Sequence, residues 1–215
     1  MAGAVTLRVL AALLAYPDER LRGALPEIKA LLAQDDALSE SRRGELEALA
    51  RWLAGAEPLE AETAYVETFD RGRATSLHLF EHVHGDSRDR GPAMIDLAQT
   101  YAAAGLMLKE GELPDYLPAV LEFASTQPPR EAKAFLGEIA HLVNGIFGAL
   151  LARGSRYAAV MGALLDLAGE KARAVPPPAE PALDETWAEP PAFDGCSVAG
   201  QSTHPVRVIR KETAR

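Results

Sequence analysis

Apolar residues recur three and four positions apart along most of the chain, which is the spacing of one buried face of an α-helix. Val5, Val9, Leu10, Leu13 and Leu14 make a first stripe between Met1 and Tyr16, and Leu21, Leu25, Ile28, Leu31 and Leu32 make a second beyond the Pro17-Asp18 break. Pro26 falls inside that second stripe. Because proline lacks an N–H and its ring crowds the preceding turn, the pattern predicts a helix that starts near Leu25 with Pro26 in its first turn. A third helix fits Ser39 or Ser41 through Ala54, with Leu46, Leu49, Trp52 and Leu53 on one face, and a fourth fits Leu59 to Phe69.

Ala74 to Val83 places Leu77, Leu79 and Phe80 for burial, and beyond Gly85 a longer helix is expected from Asp89 or Pro92 to Leu108, presenting Met94, Leu97, Tyr101 and Leu108. The two prolines of Leu113 to Pro118 forbid a continuous helix there, so the chain should bend and a new helix start at Pro118. Two more helices fit Arg130 to Ala152 and Tyr157 to Lys171, joined through Gly154 and Ser155. Neither a strand-like alternation nor a repeat of fixed period is present. The reading is all-α: a single helical domain of about eight or nine helices over residues 1–173, its two halves hinged near 111–118. Helical periodicity stops at Ala174, and seven of the fifteen prolines lie in the last 42 residues, so 174–215 reads as a Pro-rich tail, extended or disordered.

Composition narrows the function. The 215 residues are 48% apolar and 25% charged, enough to bury a core. A net charge of −9 with no early Lys/Arg cluster argues against nucleic acid, whose phosphates need such clusters, and suits a basic partner. The single cysteine, Cys196, excludes an intramolecular disulfide and a cysteine-based structural zinc site, and favours the cytoplasm. No basic residue precedes Arg8, so the apolar start reads as a helix rather than a secretory signal. No uninterrupted apolar run approaches the roughly 18 residues of a membrane span, so no membrane insertion is expected.

Polar chemistry is densest between Asp70 and Arg90, which holds Arg71, Arg73, His78, Glu81, His82, His84, Asp86, Arg88 and Asp89 as well. His78 and His82 are four apart and would share a helix face, with His84 two further on, a spacing that a metal site also uses. A zincin would need glutamate directly after the first histidine, and Leu79 stands there. The favoured reading makes these histidines caps and hydrogen-bond partners around the Val83 to Gly85 turn. Arg88 and Arg90 flank a helix start, where the macrodipole disfavours cations, and pairing with Asp86 and Asp89 would offset that as an ion-pair knot. Glu57, Glu60, Glu62, Glu67 and Asp70 make a locally negative helix with no intervening Lys or Arg, a solvated face or a rim that attracts a basic peptide. Phe69, Leu77, Phe80 and Tyr101 fit core packing before groove lining. No nucleophile with its base, phosphate loop or Ser elbow is present, so no enzyme is expected. Two alternatives stay open: a helical metal-dependent hydrolase using His78, His82 and His84, and a generic helical scaffold for a basic partner.

The run from Tyr65 to Met94 closely resembles the central segment of the NarJ-type chaperones for respiratory nitrate reductase, within the TorD-like redox-enzyme maturation proteins. Glu81-His-Val-His-Gly-Asp-Ser-Arg-Asp-Arg-Gly91 carries the resemblance most specifically. Glu112-Leu-Pro-Asp-Tyr-Leu117 is similar to the family's acidic Pro-Asp loop between its helical halves, with Tyr116 where relatives often carry histidine. The likeness covers roughly Thr6 to Leu167, and Trp187 to Phe193 resembles some members too.

The resemblance implies a TorD-like helical bundle that is cytoplasmic, non-catalytic and without a cofactor or metal of its own. It implies binding to the N-terminal peptide of the apo catalytic (alpha) subunit, a basic amphipathic helix, by helix-in-groove recognition. Molybdenum cofactor insertion would then precede membrane docking. By motif position, the partner-binding residues are expected to be Asp70, Glu81, His82, His84, Asp86, Arg88, Arg90, Pro114, Asp115 and Tyr116. If His82 or His84 touches the peptide, affinity should change between about pH 6 and 8.

Overall fold

Nine α-helices follow one another in the computed structural model, which describes residues 2–85, 87–109 and 111–174. They are α1 (Ala2–Leu14), α2 (Glu19–Ala33), α3 (Glu40–Gly55), α4 (Pro58–Phe69), α5 (Leu79–Val83), α6 (Arg90–Ala103), α7 (Leu117–Thr126), α8 (Pro129–Ala152) and α9 (Ala158–Ala168), with one 3-10 turn at Arg73–Thr75. Among the described residues there is no strand, so the class is all-α. Asp86 and the proline-rich stretch from 175 onward lie outside the described residues.

Local chemistry sets the boundaries. The Asp18 carboxylate accepts the Leu21 N–H at 2.9 Å and starts α2, and the Ser39 hydroxyl accepts the Arg42 N–H at 3.3 Å, which selects Ser39 over Ser41 as the cap of α3. Pro58 and Pro129 open α4 and α8, and Pro118 is the second residue of α7, positions where the missing N–H costs no helical bond.

Three sequence expectations are corrected. The second helix does not begin near Leu25: α2 runs unbroken from Glu19 through Pro26, because its stripe of Leu21, Leu25, Ile28 and Leu32 is buried as one face and outweighs a single lost bond. The long helix ends at Ala103 rather than Leu108, since Gly105 takes φ +78° and turns the chain out of the helix. Ala74 to Val83 is not one helix: a 3-10 turn is followed by extended chain at His78, which pairs antiparallel with Tyr116, and only then by α5.

The core is built around α9, nine of whose eleven residues are buried, all but Asp166 and Leu167. α8 packs along α9, α1 packs along α7, and Leu10, Leu13, Leu14, Leu117, Leu121 and Ile146 are fully buried between them. Each such side chain contributes about 1.5–3 kcal/mol by leaving water. Among the described residues α8 is the one helix long and apolar enough to cross a membrane, yet Leu136, Ala140, Val143, Ile146 and Leu150 form a single buried face, as in a core helix. Gly162 lets Arg42 of α3 lie across α9, because a Cβ at that position would collide with the guanidinium, which reaches Asp166 at 2.9 Å and Glu45 at 2.6 Å. α6 is the opposite case, burying Tyr101 alone.

Candidate functional site around the Pro114-Asp115-Tyr116 loop

Asp115 lies between two prolines in a run whose neighbours are nearly all buried, and its own exposure is 0%. A carboxylate so placed must be matched by donors. Its Oδ2 accepts the Phe80 N–H at 3.1 Å, its carbonyl accepts the Leu79 N–H at 3.1 Å, and the His78 Nδ1–H donates to Oδ1 at 3.3 Å. Asp115 therefore supplies from a distant loop the cap that α5 lacks in its own sequence. The Leu117 N–H donates to the Leu77 carbonyl at 2.8 Å and closes the small antiparallel pairing. Arg90, the first residue of α6, sits 3.5 Å from Glu81 Oε1 and 3.9 Å from Asp115 Oδ2.

Tyr116 links this loop to the bundle. Tyr65 has one hydroxyl proton and gives it to the Leu14 carbonyl of α1 at 2.9 Å, so Tyr116 is the donor in the 3.0 Å contact between the two phenols. The His78 ring lies against Tyr116 with centroids 5.4 Å apart, and Tyr65 packs against Tyr16, Phe69 and Tyr157. Burial holds the Tyr65, Tyr101 and Tyr157 phenols well above the ordinary range. The hydrogen bond to Asp115 holds the His78 pKa above its usual value, with burial and the Arg90 charge opposing and the Asp115 and Glu81 charges assisting.

On the outer side, Tyr16 donates to Glu62 at 3.0 Å, and that hydrogen bond, with burial and then the charges of Glu62, Asp70 and Asp18, raises its pKa. Burial likewise raises Tyr116, with the Glu112 and Asp70 charges adding to the effect. The acidic α4 thus faces the same tyrosine group as the loop.

The expected residues fall into two sets. Glu81, Arg90, Pro114, Asp115 and Tyr116 come together, with Pro114 buried and its carbonyl accepting the Tyr101 hydroxyl at 2.8 Å. Asp70 ends α4 on the exposed side, and Arg88 is exposed in the turn before α6. His84 caps α5 and sets its ring edge-on to Phe80 at 5.4 Å. The His82 Nε2–H donates to the Ser76 carbonyl at 2.9 Å. His78 precedes α5 in extended chain, so His78 and His82 do not share a helix face, and the three imidazoles turn to three different partners. Of the expected arginine knot, Arg90 pairs with Glu81 and Asp115 and Asp89 accepts the Ser87 hydroxyl, while the part that involves Asp86 lies outside the described residues. Phe69, Leu77 and Tyr101 are core residues and Phe80 is half-buried.

Sequence reasoning missed His78 as the partner of Asp115, Tyr65 as the relay to α1, and Arg153, whose guanidinium donates to the Thr68 carbonyl at 3.0 Å at the end of α4. The one available signal was an aspartate amid prolines and apolar residues.

The family model for the nitrate reductase delta subunit matches residues 35–160 and so spans every candidate residue from Asp70 to Tyr116. The chain is 43% identical over 164 residues to the nitrate reductase molybdenum cofactor assembly chaperone NarJ of Escherichia coli (strain K12), covering 76% of this chain and 70% of that protein. It is 42% identical to the probable chaperone NarW of the same strain, over 76% of this chain and 68% of NarW. To the probable NarJ of Bacillus subtilis (strain 168) it is 33% identical, over 75% of this chain and 86% of that protein. The chain belongs to the nitrate reductase delta subunit family, whose relatives here are NarJ-type assembly chaperones.

Proposed function

We propose that this chain is a non-catalytic, cytoplasmic chaperone for the assembly of respiratory nitrate reductase. It binds the N-terminal region of the apo catalytic subunit and permits molybdenum cofactor insertion before that subunit docks at the membrane. The observation that carries this reading is the 43% identity to NarJ across three quarters of the chain, together with a family match that spans the whole loop site.

The surface chemistry supports the peptide as ligand. A basic amphipathic helix needs an acidic rim and an apolar strip. The chain carries a net charge of −9, and Glu62, Asp70 and Asp18 act together on the exposed Tyr16. Val83 in α5, Ile95 in α6 and Met107 beyond α6 are 53%, 59% and 93% exposed. Micromolar affinity corresponds to about −8 kcal/mol, more than a few exposed ion pairs of about 0–1 kcal/mol each supply. Burial of apolar side chains provides the rest.

Isothermal titration of the full chain with the N-terminal peptide of its cognate catalytic subunit tests this reading, beside a scrambled peptide of equal charge. Micromolar or tighter binding to the native peptide alone is expected. Equal binding to both would favour a generic scaffold, and no binding would overturn the peptide as ligand.

A further inference from the structure

We propose that Asp115 is a positioning residue: from the interior it sets where α5 and α6 lie, and so tunes partner affinity without touching the partner. The partner half of this statement rests on the peptide reading above.

With an exposure of 0%, the Asp115 carboxylate has no surface to offer a ligand. It is instead the point where three pieces of chain meet: His78 ahead of α5 through Oδ1, the first turn of α5 through the Phe80 N–H on Oδ2, and the start of α6 through Arg90. The other end of α6 is tied to the residue next door, by the Tyr101 hydroxyl on the Pro114 carbonyl at 2.8 Å. Arg90 and Tyr101 lie about 16 Å apart along the helix axis at 1.5 Å per residue. Two long side chains from opposite ends of one helix therefore converge on one dipeptide.

Between those two pegs α6 has little else to hold it. Tyr101 is its one buried residue, Met94 and Leu97 are half-buried, and Ile95 points outward. Beyond the Tyr101 ring, which packs on Phe123 of α7 with centroids 4.8 Å apart, so little apolar surface is buried that the helix takes its place chiefly from its polar attachments. The loop itself is referenced to the bundle, since Tyr116 donates to Tyr65 and Tyr65 to α1. Asp115 thus transmits the position of the core to the two helices that carry Glu81, His82, His84 and Arg90. The expected hinge near 111–118 becomes a joint with α5 and α6 on one side and the bundle on the other.

Hydrogen exchange with mass-spectrometric readout on the full chain tests the proposal in wild type, Asp115→Asn and Tyr101→Phe, with peptide affinity measured on the same three proteins. Asparagine keeps the shape of aspartate and removes the charge that draws His78 and Arg90; phenylalanine removes only the hydroxyl peg. Amides of α5 and α6 are expected to exchange about threefold to tenfold faster in Asp115→Asn, and those of α6 in Tyr101→Phe, the response to losing one or two net hydrogen bonds. Amides of α1, α8 and α9 should not change, and peptide affinity should fall severalfold in both variants. Ile146→Val, a purely structural change in the bundle, should leave affinity and α6 exchange as they are. If Asp115→Asn fails to fold, Tyr101→Phe decides. Unchanged α6 exchange overturns the proposal, and so does faster exchange with unchanged affinity. A wild-type chain that ignores the peptide would instead refute the peptide reading, and the exchange data alone would then decide whether Asp115 positions α5 and α6.

Discussion

The bundle of α1, α7, α8 and α9 and the stretch from the Arg73 turn to the start of α7 hold their shape by different means. In the bundle, side chain after side chain is sealed from water, and any one contact is a small share of the whole. In the outer stretch a five-residue helix and a helix with one buried residue are fastened by identifiable polar contacts to Asp115, Pro114 and Tyr116. Apolar burial is cumulative and tolerant, whereas a polar fastening is discrete and fails at one atom. A surface that must accept a partner segment is better served by the second kind, because its opening costs less than unfolding the core.

Mutations should separate the two regions, beginning with the largest effect. Leu10→Ala and Ile146→Ala each empty a fully buried position in the bundle, and each should cost about 2–5 kcal/mol in urea denaturation. A loss below about 1 kcal/mol would mean that the bundle is not the stabilising half.

Two tyrosines sharpen the contrast. Tyr65→Phe breaks the chain from Tyr116 to the Leu14 carbonyl, and should cost about 1–3 kcal/mol by leaving a buried acceptor unmatched. Tyr157 is equally buried, but its hydroxyl has no hydrogen-bond partner among the described residues. Tyr157→Phe should therefore be neutral or raise the denaturation midpoint, since burying an unmatched hydroxyl is unfavourable. Equal losses in the two variants would contradict the relay.

A pH series isolates His78. Its folded pKa is raised, above all by the Asp115 hydrogen bond, over an ordinary value of 6.5. The protonated form is then the one stabilised by folding, so this contribution is fully present below pH 6.5 and is lost as pH rises through the raised value. The thermal midpoint of wild type minus that of His78→Gln should be largest in mild acid and shrink above neutrality. A difference that grows with pH would reverse the assignment. Smallest in stability are Glu62→Gln and Asp70→Asn on the acidic rim, each within about 0.5 kcal/mol. Their expected effect is kinetic: slower association with a basic peptide and a weaker dependence on salt, visible in stopped-flow fluorescence.

The sequence made part of this contrast readable. The helices outside the outer stretch follow from apolar spacing, and Asp18, Ser39 and three prolines mark the starts of α2, α3, α4, α7 and α8, because each of those signals acts within one turn of chain. The outer stretch was legible as a cluster of chemistry but not as an arrangement. Leu77 to Leu79 is extended only because it pairs with residues nearly forty positions later, and so short a pairing leaves no alternating pattern to read. The two histidines four apart pointed to a shared helix face, a period that holds only where a helix exists. Tyr65 finds its partners 51 positions away in both directions, which no local rule anticipates.

The exchange footprint of the native N-terminal peptide on the wild-type chain bears most directly on where the partner binds. Exchange should slow in α5, α6 and the 113–117 loop, with α8 and α9 unchanged. Protection confined to the bundle, or none anywhere with peptide in excess, would contradict binding there.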